Sequence, residues 1–346
     1  MPFCRHRCDY CAFATWTDRL PLAERYLAAC RRQVLDASAD GSLGPVSSAF
    51  VGGGTPSLAP VRPLLAVLDA APLAPGAEVT VEANPDDVTE PLLAAYLDGG
   101  ATRLSIGVQS LVPSVLRALG RTHDPDSVRR AADAAHHLGL AFNVDLIYGA
   151  AGETIDQWAQ TLAAAVALEP AHVSAYALTV EPGTPLASQP DRHPDDDDQA
   201  DKYLLATEVL AAAGFEWYEI SNWALLGQRC QHNLLYWQHG DYLGVGCAAH
   251  SHRAGRRWWN LRTPERYVDA VERGRSVEAG QEMLDADRRR FERHELALRT
   301  DRGVPADAFE PGALDGLAPL VTVDSDHVTL TLQGRLLANE VAVHLR

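Results

Sequence analysis

From residue 49 to about 180 the chain alternates short apolar runs with amphipathic stretches of helical period, a pattern that predicts repeated strand–helix units. Strands are predicted over 49–51, 78–82, 103–108, 141–147 and 173–179. Helices are predicted over 61–71, 90–99, 113–138 (as two helices) and 155–168, with an earlier one over 21–39 whose Leu22, Tyr26, Leu27, Cys30 and Val34 share a face. The strands read as apolar runs rather than clean alternations, the expectation for parallel strands covered on both sides. Repeated βα units either close into a barrel or open into a doubly wound sheet. The barrel, full or partial, is favoured because polar residues stand at the C-terminal end of every strand and would converge on one mouth. Those ends are Gly52-Gly53-Gly54-Thr55, Glu82-Ala83-Asn84-Pro85, Gln109-Ser110, Asp145 with Tyr148-Gly149, and Tyr176 with Thr179.

Beyond the repeats, a Pro/Asp-rich loop over 182–198 leads to a helix at about 197–213, with Asp195, Asp196, Asp197 and Asp198 forming its acidic start. Residues 215–260 concentrate the Trp, His, Asn and Tyr residues. From about 265 the pattern reads as helices, a hairpin over 321–323 and 328–332, and a last helix over 334–345, together a small winged-helix-like module. The expected units are 1–225, 226–264 and 265–346.

Composition narrows the function. With 47% hydrophobic and 22% charged residues, the 346-residue chain is expected to be soluble and globular rather than disordered, fibrous or membrane-spanning. Acidic residues outnumber basic ones 46 to 30, a net charge of −16 that argues against nucleic acid or anionic lipid as a partner. Lys202 is the single lysine. No stretch has the pattern of a signal peptide, and no apolar run approaches the roughly 20 residues of a membrane span, so a cytoplasmic location is expected. Six cysteines are too few for a disulfide scaffold, and three of them fall between residues 4 and 11, which suggests metal binding in a reducing compartment. Cys30, Cys230 and Cys247 lack such spacing and read as ordinary buried thiols.

The loop Cys4-x3-Cys8-x2-Cys11 places three thiolates within eight residues. A [4Fe-4S] cube takes four ligands, so three cysteines leave one iron open, able to chelate the amino and carboxylate groups of S-adenosylmethionine. A zinc site using these cysteines and His6 is the alternative.

Pro2-Phe3-Cys4-x3-Cys8-Asp9-Tyr10-Cys11 resembles the radical S-adenosylmethionine superfamily, in the branch of oxygen-independent coproporphyrinogen III oxidase and its haem-chaperone relatives. The likeness continues through Gly52-Gly53-Gly54-Thr55-Pro56-Ser57, Glu82-Ala83-Asn84-Pro85, Ser105-Ile106-Gly107-Val108-Gln109-Ser110, Gly120-Arg121-Thr122-His123, Asp145-Leu146-Ile147-Tyr148-Gly149, Glu181-Pro182-Gly183-Thr184-Pro185 and Tyr218-Glu219-Ile220-Ser221-Asn222-Trp223. It implies an α/β fold, a partial (β/α)6 TIM-like barrel with a small, mostly helical C-terminal domain. It also implies a [4Fe-4S] cluster on Cys4, Cys8 and Cys11. Gly53 and Gly54 would bring backbone carbonyls to the ammonium of S-adenosylmethionine. Thr55, Glu82, Gln109, Arg121 and Asp145 would line the rest of its pocket, the arginine suiting a carboxylate. Ala177 and His250 would stand on the adenine or substrate side. The family usually begins with a strand before Pro-Phe-Cys, so the first barrel strand is expected to be missing, leaving the strand at 49–51 with an open edge.

Two features separate the branches. The oxidase pattern has a fourth cysteine where this chain has Phe13, and His232-Asn233-Leu234-Leu235-Tyr236-Trp237 matches the HNxxYW signature of the haem chaperones. The resemblance thus implies haem as cargo, an acceptor protein that receives it and an electron donor for the cluster, with a homodimer left open. His232 is the candidate haem ligand, with Tyr236 and Trp237 as flat surface; Cys230, His239, His250 and His252 are further candidates. Coproporphyrinogen III oxidation is the alternative activity.

Overall fold

The computed structural model describes residues 1–310, 312–324 and 326–345. Helix α1 (Ala23–Ala39) precedes a run of strand–helix units: β1 (Val46–Val51), α2 (Val61–Asp69), β2 (Leu73–Ala83), α3 (Glu90–Asp98), β3 (Arg103–Gln109), α4 (Pro113–Ala118), α5 (Pro125–His137), β4 (Ala141–Tyr148), α6 (Ile155–Val166), β5 (His172–Ala177) and α7 (Asp196–Ala212). The antiparallel pair β6 (Glu216–Glu219) and β7 (Asn222–Ala224) completes the sheet, in which β1 to β5 are parallel and stand in chain order, followed by β7 and β6. A monotonic order with right-handed crossovers puts every helix on one face, so the sheet curls as a half-barrel and a doubly wound arrangement is excluded. β1 is an edge strand of this sheet, as expected.

The expectation of strands apolar on both sides is corrected. Val79, Val81, Leu104, Ile106, Val108, Phe142, Val144, Leu146, Val173 and Ala175 join the main apolar core. Between them alternate Glu78, Thr80, Glu82, Arg103, Ser105, Asn143, Asp145, His172 and Ser174. The strands therefore have period two, with apolar side chains towards the helices and a polar inner face. The inner face is not an oil-filled layer; it is a lining whose hydrogen bonds define the site.

Local chemistry fixes the helix ends. Thr154 and Gln157 form a reciprocal capping box at the start of α6, and Asp195 accepts the Asp198 N–H at 2.9 Å to begin α7. The acidic start of α7 does more than face solvent. Lys202, wholly buried, donates to Asp198 at 2.6 Å and to the Glu153 carbonyl at 2.8 Å, with the Glu153 carboxylate 3.4 Å away. Glu153 in turn accepts from Gly149 N–H at 2.7 Å, so the single lysine ties α7 to the turn after β4.

The sequence pattern missed the strands of residues 216–283, while the hairpin expected over 321–323 and 328–332 is present. Helix α8 (Gln231–Trp237) is followed by an antiparallel sheet of β8 (His250–Arg253), β9 (Arg256–Asn260) and β10 (Glu278–Met283), with α9 (Pro264–Glu272) between its last two strands. Apolar contacts cross residue 265: Tyr267 and Val268 of α9 join the main core, and Tyr267 donates to Gln33 of α1 at 2.6 Å. A separate core of Leu298, Val304, Val321, Val328, Leu330 and Val341 belongs to α10 (Ala286–Leu298), β11 (Val304–Pro305), β12 (Val321–Val323), β13 (His327–Leu330), α11 (Leu332–Leu336) and α12 (Ala338–His344). Its three-stranded sheet and helices have the winged-helix-like make-up expected. The single final helix expected over 334–345 is two: Thr331 caps the first, and a side chain at Gly334 would collide with the Leu320 carbonyl.

Candidate functional site

The three-cysteine loop is held to the C-terminal mouth of the half-barrel by its flanks. Trp16 N–H donates to the Pro2 carbonyl at 2.8 Å, Thr55 N–H to the Phe3 carbonyl at 2.8 Å and Gly54 N–H to the Met1 carbonyl at 2.6 Å. Phe3, fully buried, packs edge-on against Tyr26. The approach is so close that a Cβ at Gly54 would lie 2.6 Å from the Phe3 carbonyl, and Gly53 has φ +105°. These glycines are thus needed for the loop to dock, whatever else they contact.

Cys4, Cys8 and Cys11 are half-buried and face one another closely enough to interact electrostatically. Burial, opposed by hydrogen bonds, pushes the Cys4 and Cys11 thiols up. The Thr55 hydroxyl points at Cys4 Sγ (3.6 Å) and Arg121 Nη1 at Cys8 Sγ (3.7 Å). Among the described residues no three His, Cys, Asp or Glu side chains gather as tightly as one bound ion requires, and His6 is exposed. Three cysteine thiols on one short loop are the donor set of a cubane that keeps one iron open.

Behind the loop lie two carboxylates. Glu82 accepts from Gly53 N–H at 3.0 Å, and Asp145 from Ser105 Oγ at 2.7 Å and Asn143 Nδ2 at 2.9 Å. Burial raises both, and Asp145 adds repulsion that brings Glu82 to about 8. Arg121 donates to the Gly107 carbonyl at 2.8 Å while its Nε is buried without a partner, as is Asn84 Oδ1. Gln109, at φ +61°, folds its amide over Gly107, and Ala177 stands exposed at the end of β5. A repelling carboxylate pair, an orphaned donor and an orphaned acceptor are the marks of a lining that awaits a polar, cation-bearing ligand. One set of expected residues is therefore brought together: Gly53, Gly54, Thr55, Glu82, Gln109, Arg121 and Asp145 all meet the cysteine loop or one another.

The expected haem residues lie elsewhere, on α8, which spans the open side of the half-barrel. Glu78 caps α8, accepting from Gln231 N–H and His232 N–H at 3.0 Å each and from the Cys230 thiol at 3.3 Å. Arg103 bonds the Gln228 carbonyl at 3.0 Å beside it. His232 stacks on Phe50 of β1 at 5.3 Å, its Nδ1 2.9 Å from Ser48 Oγ and its Nε2 3.0 Å from Tyr236 OH. Asn233 reaches the other side, donating to Glu219 of β6 at 2.8 Å and to Tyr218 OH at 3.3 Å. Tyr218 OH also meets His172 Nε2 at 2.8 Å, and burial keeps that imidazole neutral. Trp237 lies near the same Glu219 carboxylate, its buried Nε1 without a hydrogen bond. His250 is not on α8; it starts β8, exposed, with its ring on Trp259.

Residues 1–165 match the family model of the radical SAM superfamily. The chain is 40% identical to heme chaperone HemW of Mycobacterium tuberculosis over 361 aligned positions, covering 99% of this chain and 92% of the relative. It is 35% identical to heme chaperone HemW of Escherichia coli, covering 99% and 95% respectively. The chain belongs to the HemW family. Its fold is that of the radical SAM enzyme coproporphyrinogen III oxidase (HemN) from Escherichia coli, with a TM-score of 0.85 over 100% of this chain and 88% of that one, at 22% identity. The radical SAM assignment and the placement in the HemW branch expected from motifs are thereby established. Among the described residues no helix is long and apolar enough to cross a membrane.

Three groups of this HemW-family chain escaped sequence reasoning: Glu78, Glu219 and Lys202. Glu78 sits on the inner-face period of β2, inside a run that reads as apolar, and Glu219 stands in β6, a short strand that the pattern does not predict. Lys202 carried a different signal, as the one lysine in a chain that otherwise uses arginine.

Proposed function

We propose that this protein is a haem chaperone: it holds a [4Fe-4S] cluster on Cys4, Cys8 and Cys11, binds S-adenosylmethionine beside it, and delivers haem to an acceptor protein. The observation that supports this most is 40% identity over 99% of this chain to a protein named heme chaperone, joined to a mouth in which three thiols face an unsatisfied polar lining. Bound there, the cluster supplies an open iron for the nucleotide's amino and carboxylate groups and an electron for its sulfonium. The chain's own residues do the positioning. Gly53 and Gly54 let the loop dock, and Thr55 and Arg121 hold donors on the Cys4 and Cys8 sulfurs. Glu82 and Asp145 offer carboxylates to ribose hydroxyls or the sulfonium, while the free Arg121 Nε, Gln109 and Ala177 complete the wall. Haem is carried by the 226–264 segment.

Phe13 stands, 61% exposed, where the oxidase pattern has its fourth cysteine. The test is anaerobic reconstitution, then addition of hemin and, separately, coproporphyrinogen III with dithionite and S-adenosylmethionine. A Soret band on hemin addition with no protoporphyrinogen in the second arm is the expected result. Protoporphyrinogen formation, or cluster-loaded protein that takes up no hemin, overturns the reading.

A further inference from the structure

The 226–264 segment carries four histidines, and their surroundings differ. A chaperone must release its cargo, so the ligand of the iron needs a free ring nitrogen that both haem and an acceptor can reach. His232 has neither nitrogen free: Nδ1 meets Ser48 and Nε2 meets Tyr236, and the ring is part of the contact that joins α8 to β1. His252 is buried, with Nδ1 2.8 Å from the Gly240 carbonyl and Nε2 3.2 Å from Gly255 N–H. The His239 side chain is only 7% exposed and packs against His252, its Nε2 3.7 Å from Glu292.

His250 alone of the four is exposed, and among the described residues neither of its ring nitrogens has a hydrogen-bond partner. It pairs in register with Trp259 on the next strand, and the two rings stack at 5.8 Å and 29°. The third strand completes the platform. Gly280 is the register partner of Trp259, and a Cβ there would lie 2.5 Å from the indole, so the glycine lets the indole lie flat across the sheet. His250 also stands towards the cluster end. Cys247, three residues earlier, donates its N–H to the Tyr26 hydroxyl at 3.0 Å and lies close enough to the Met1 ammonium for that charge to act on its thiol. Three residues span at most about 11 Å.

We propose that His250, backed by Trp259 over Gly280, is the axial ligand of the haem cargo, while the HNxxYW helix serves to close the seam of the half-barrel. This rests on the haem-chaperone reading and names the ligand within it. A neutral imidazole nitrogen donates its lone pair to the iron, and the indole gives the porphyrin an apolar neighbour.

The experiment is hemin titration of the cluster-loaded full chain and of His250→Ala, Trp259→Leu and His232→Ala, read as difference spectra against the same protein without hemin. His250→Ala should lose the Soret band and bind hemin about tenfold or more weakly, and added imidazole should restore the band by taking the vacated coordination position. Trp259→Leu should weaken uptake about threefold, with the band unshifted. His232→Ala should keep the band and melt at lower temperature. Parent-like hemin uptake by His250→Ala overturns the assignment, as does a His232→Ala protein that is folded by circular dichroism yet shows no Soret band. If the parent itself takes up no hemin, the chaperone reading falls and this assignment with it.

Discussion

The mouth of the half-barrel and its seam are both polar, and they are finished to different degrees. At the seam most polar groups of the HNxxYW helix have partners: Glu78 takes two N–H groups and a thiol, His232 spends both ring nitrogens, and Asn233 bridges Glu219 and Tyr218, with the buried Trp237 Nε1 as the exception. At the mouth Glu82 and Asp145 repel each other, Arg121 Nε has no partner, and three thiols crowd one loop. A nearly completed network stabilises a fold; one with repelling carboxylates and crowded thiols, kept in place by the rest of the structure, is where a ligand's energy can be gained. A motif rich in His, Asn, Tyr and Trp can therefore be mainly structural, and residue type alone does not decide between the two.

The largest expected effect is at the mouth. Cys4→Ser, Cys8→Ser and Cys11→Ser should each drop iron from about four per chain to near zero, because the cube has no spare thiolate to recruit. Cys230→Ser should leave iron content unchanged, since that thiol bonds Glu78 at the seam. Counting iron and acid-labile sulfide after anaerobic reconstitution tests both. If Cys230→Ser removes the cluster and one of the loop variants does not, the division between mouth and seam is wrong.

At the seam the effects should appear as stability. Asn233→Ala leaves the buried Glu219 carboxylate short of a donor, and Glu78→Ala uncaps α8 and leaves Arg103, whose side chain is 6% exposed, without its acidic neighbour. Each should lower unfolding free energy by about 1–3 kcal/mol in urea titration. Affinity for S-adenosylmethionine should change little. A tenfold loss of nucleotide affinity without loss of stability would mean that the seam is part of the binding site.

Most of the fold was legible because the βα repeat leaves marks at every unit: apolar runs for β2 to β5, amphipathic stretches for α1 to α7, and Gly or polar residues at each strand's end. The strands of residues 216–283 were not legible. β6, β7 and β8 have three or four residues each, and β9 reads Arg-Arg-Trp-Trp-Asn, where cation and ring pack across neighbours instead of alternating by hydropathy. The mouth was legible from ordered motifs. Glu78, Glu219 and Lys202 were not, since each acts on a partner far along the chain: Gln231 and His232 for Glu78, Asn233 for Glu219, the turn at Gly149 for Lys202.

The smallest effect is the most specific to the comparison. Glu82 is raised to about 8 by burial and by Asp145, well above an ordinary carboxylate near 4.3. A carboxyl whose folded value is raised binds its proton more tightly in the native state, so its contribution to stability is complete below about 4.3 and is lost as pH rises towards 8. Glu82→Gln carries no such titration. Without nucleotide, the variant's melting temperature should equal or fall slightly below the parent's near pH 5, exceed it by a few degrees at pH 8, and rise no further above that. The same variant should bind S-adenosylmethionine more weakly, because the neutral amide no longer attracts the sulfonium and is a poorer acceptor for ribose hydroxyls. Stability gained where binding is lost is the signature of a group held in place for a ligand. A variant less stable than the parent at pH 8 would instead make Glu82 a satisfied group like Glu78, and the mouth would then be no less complete than the seam.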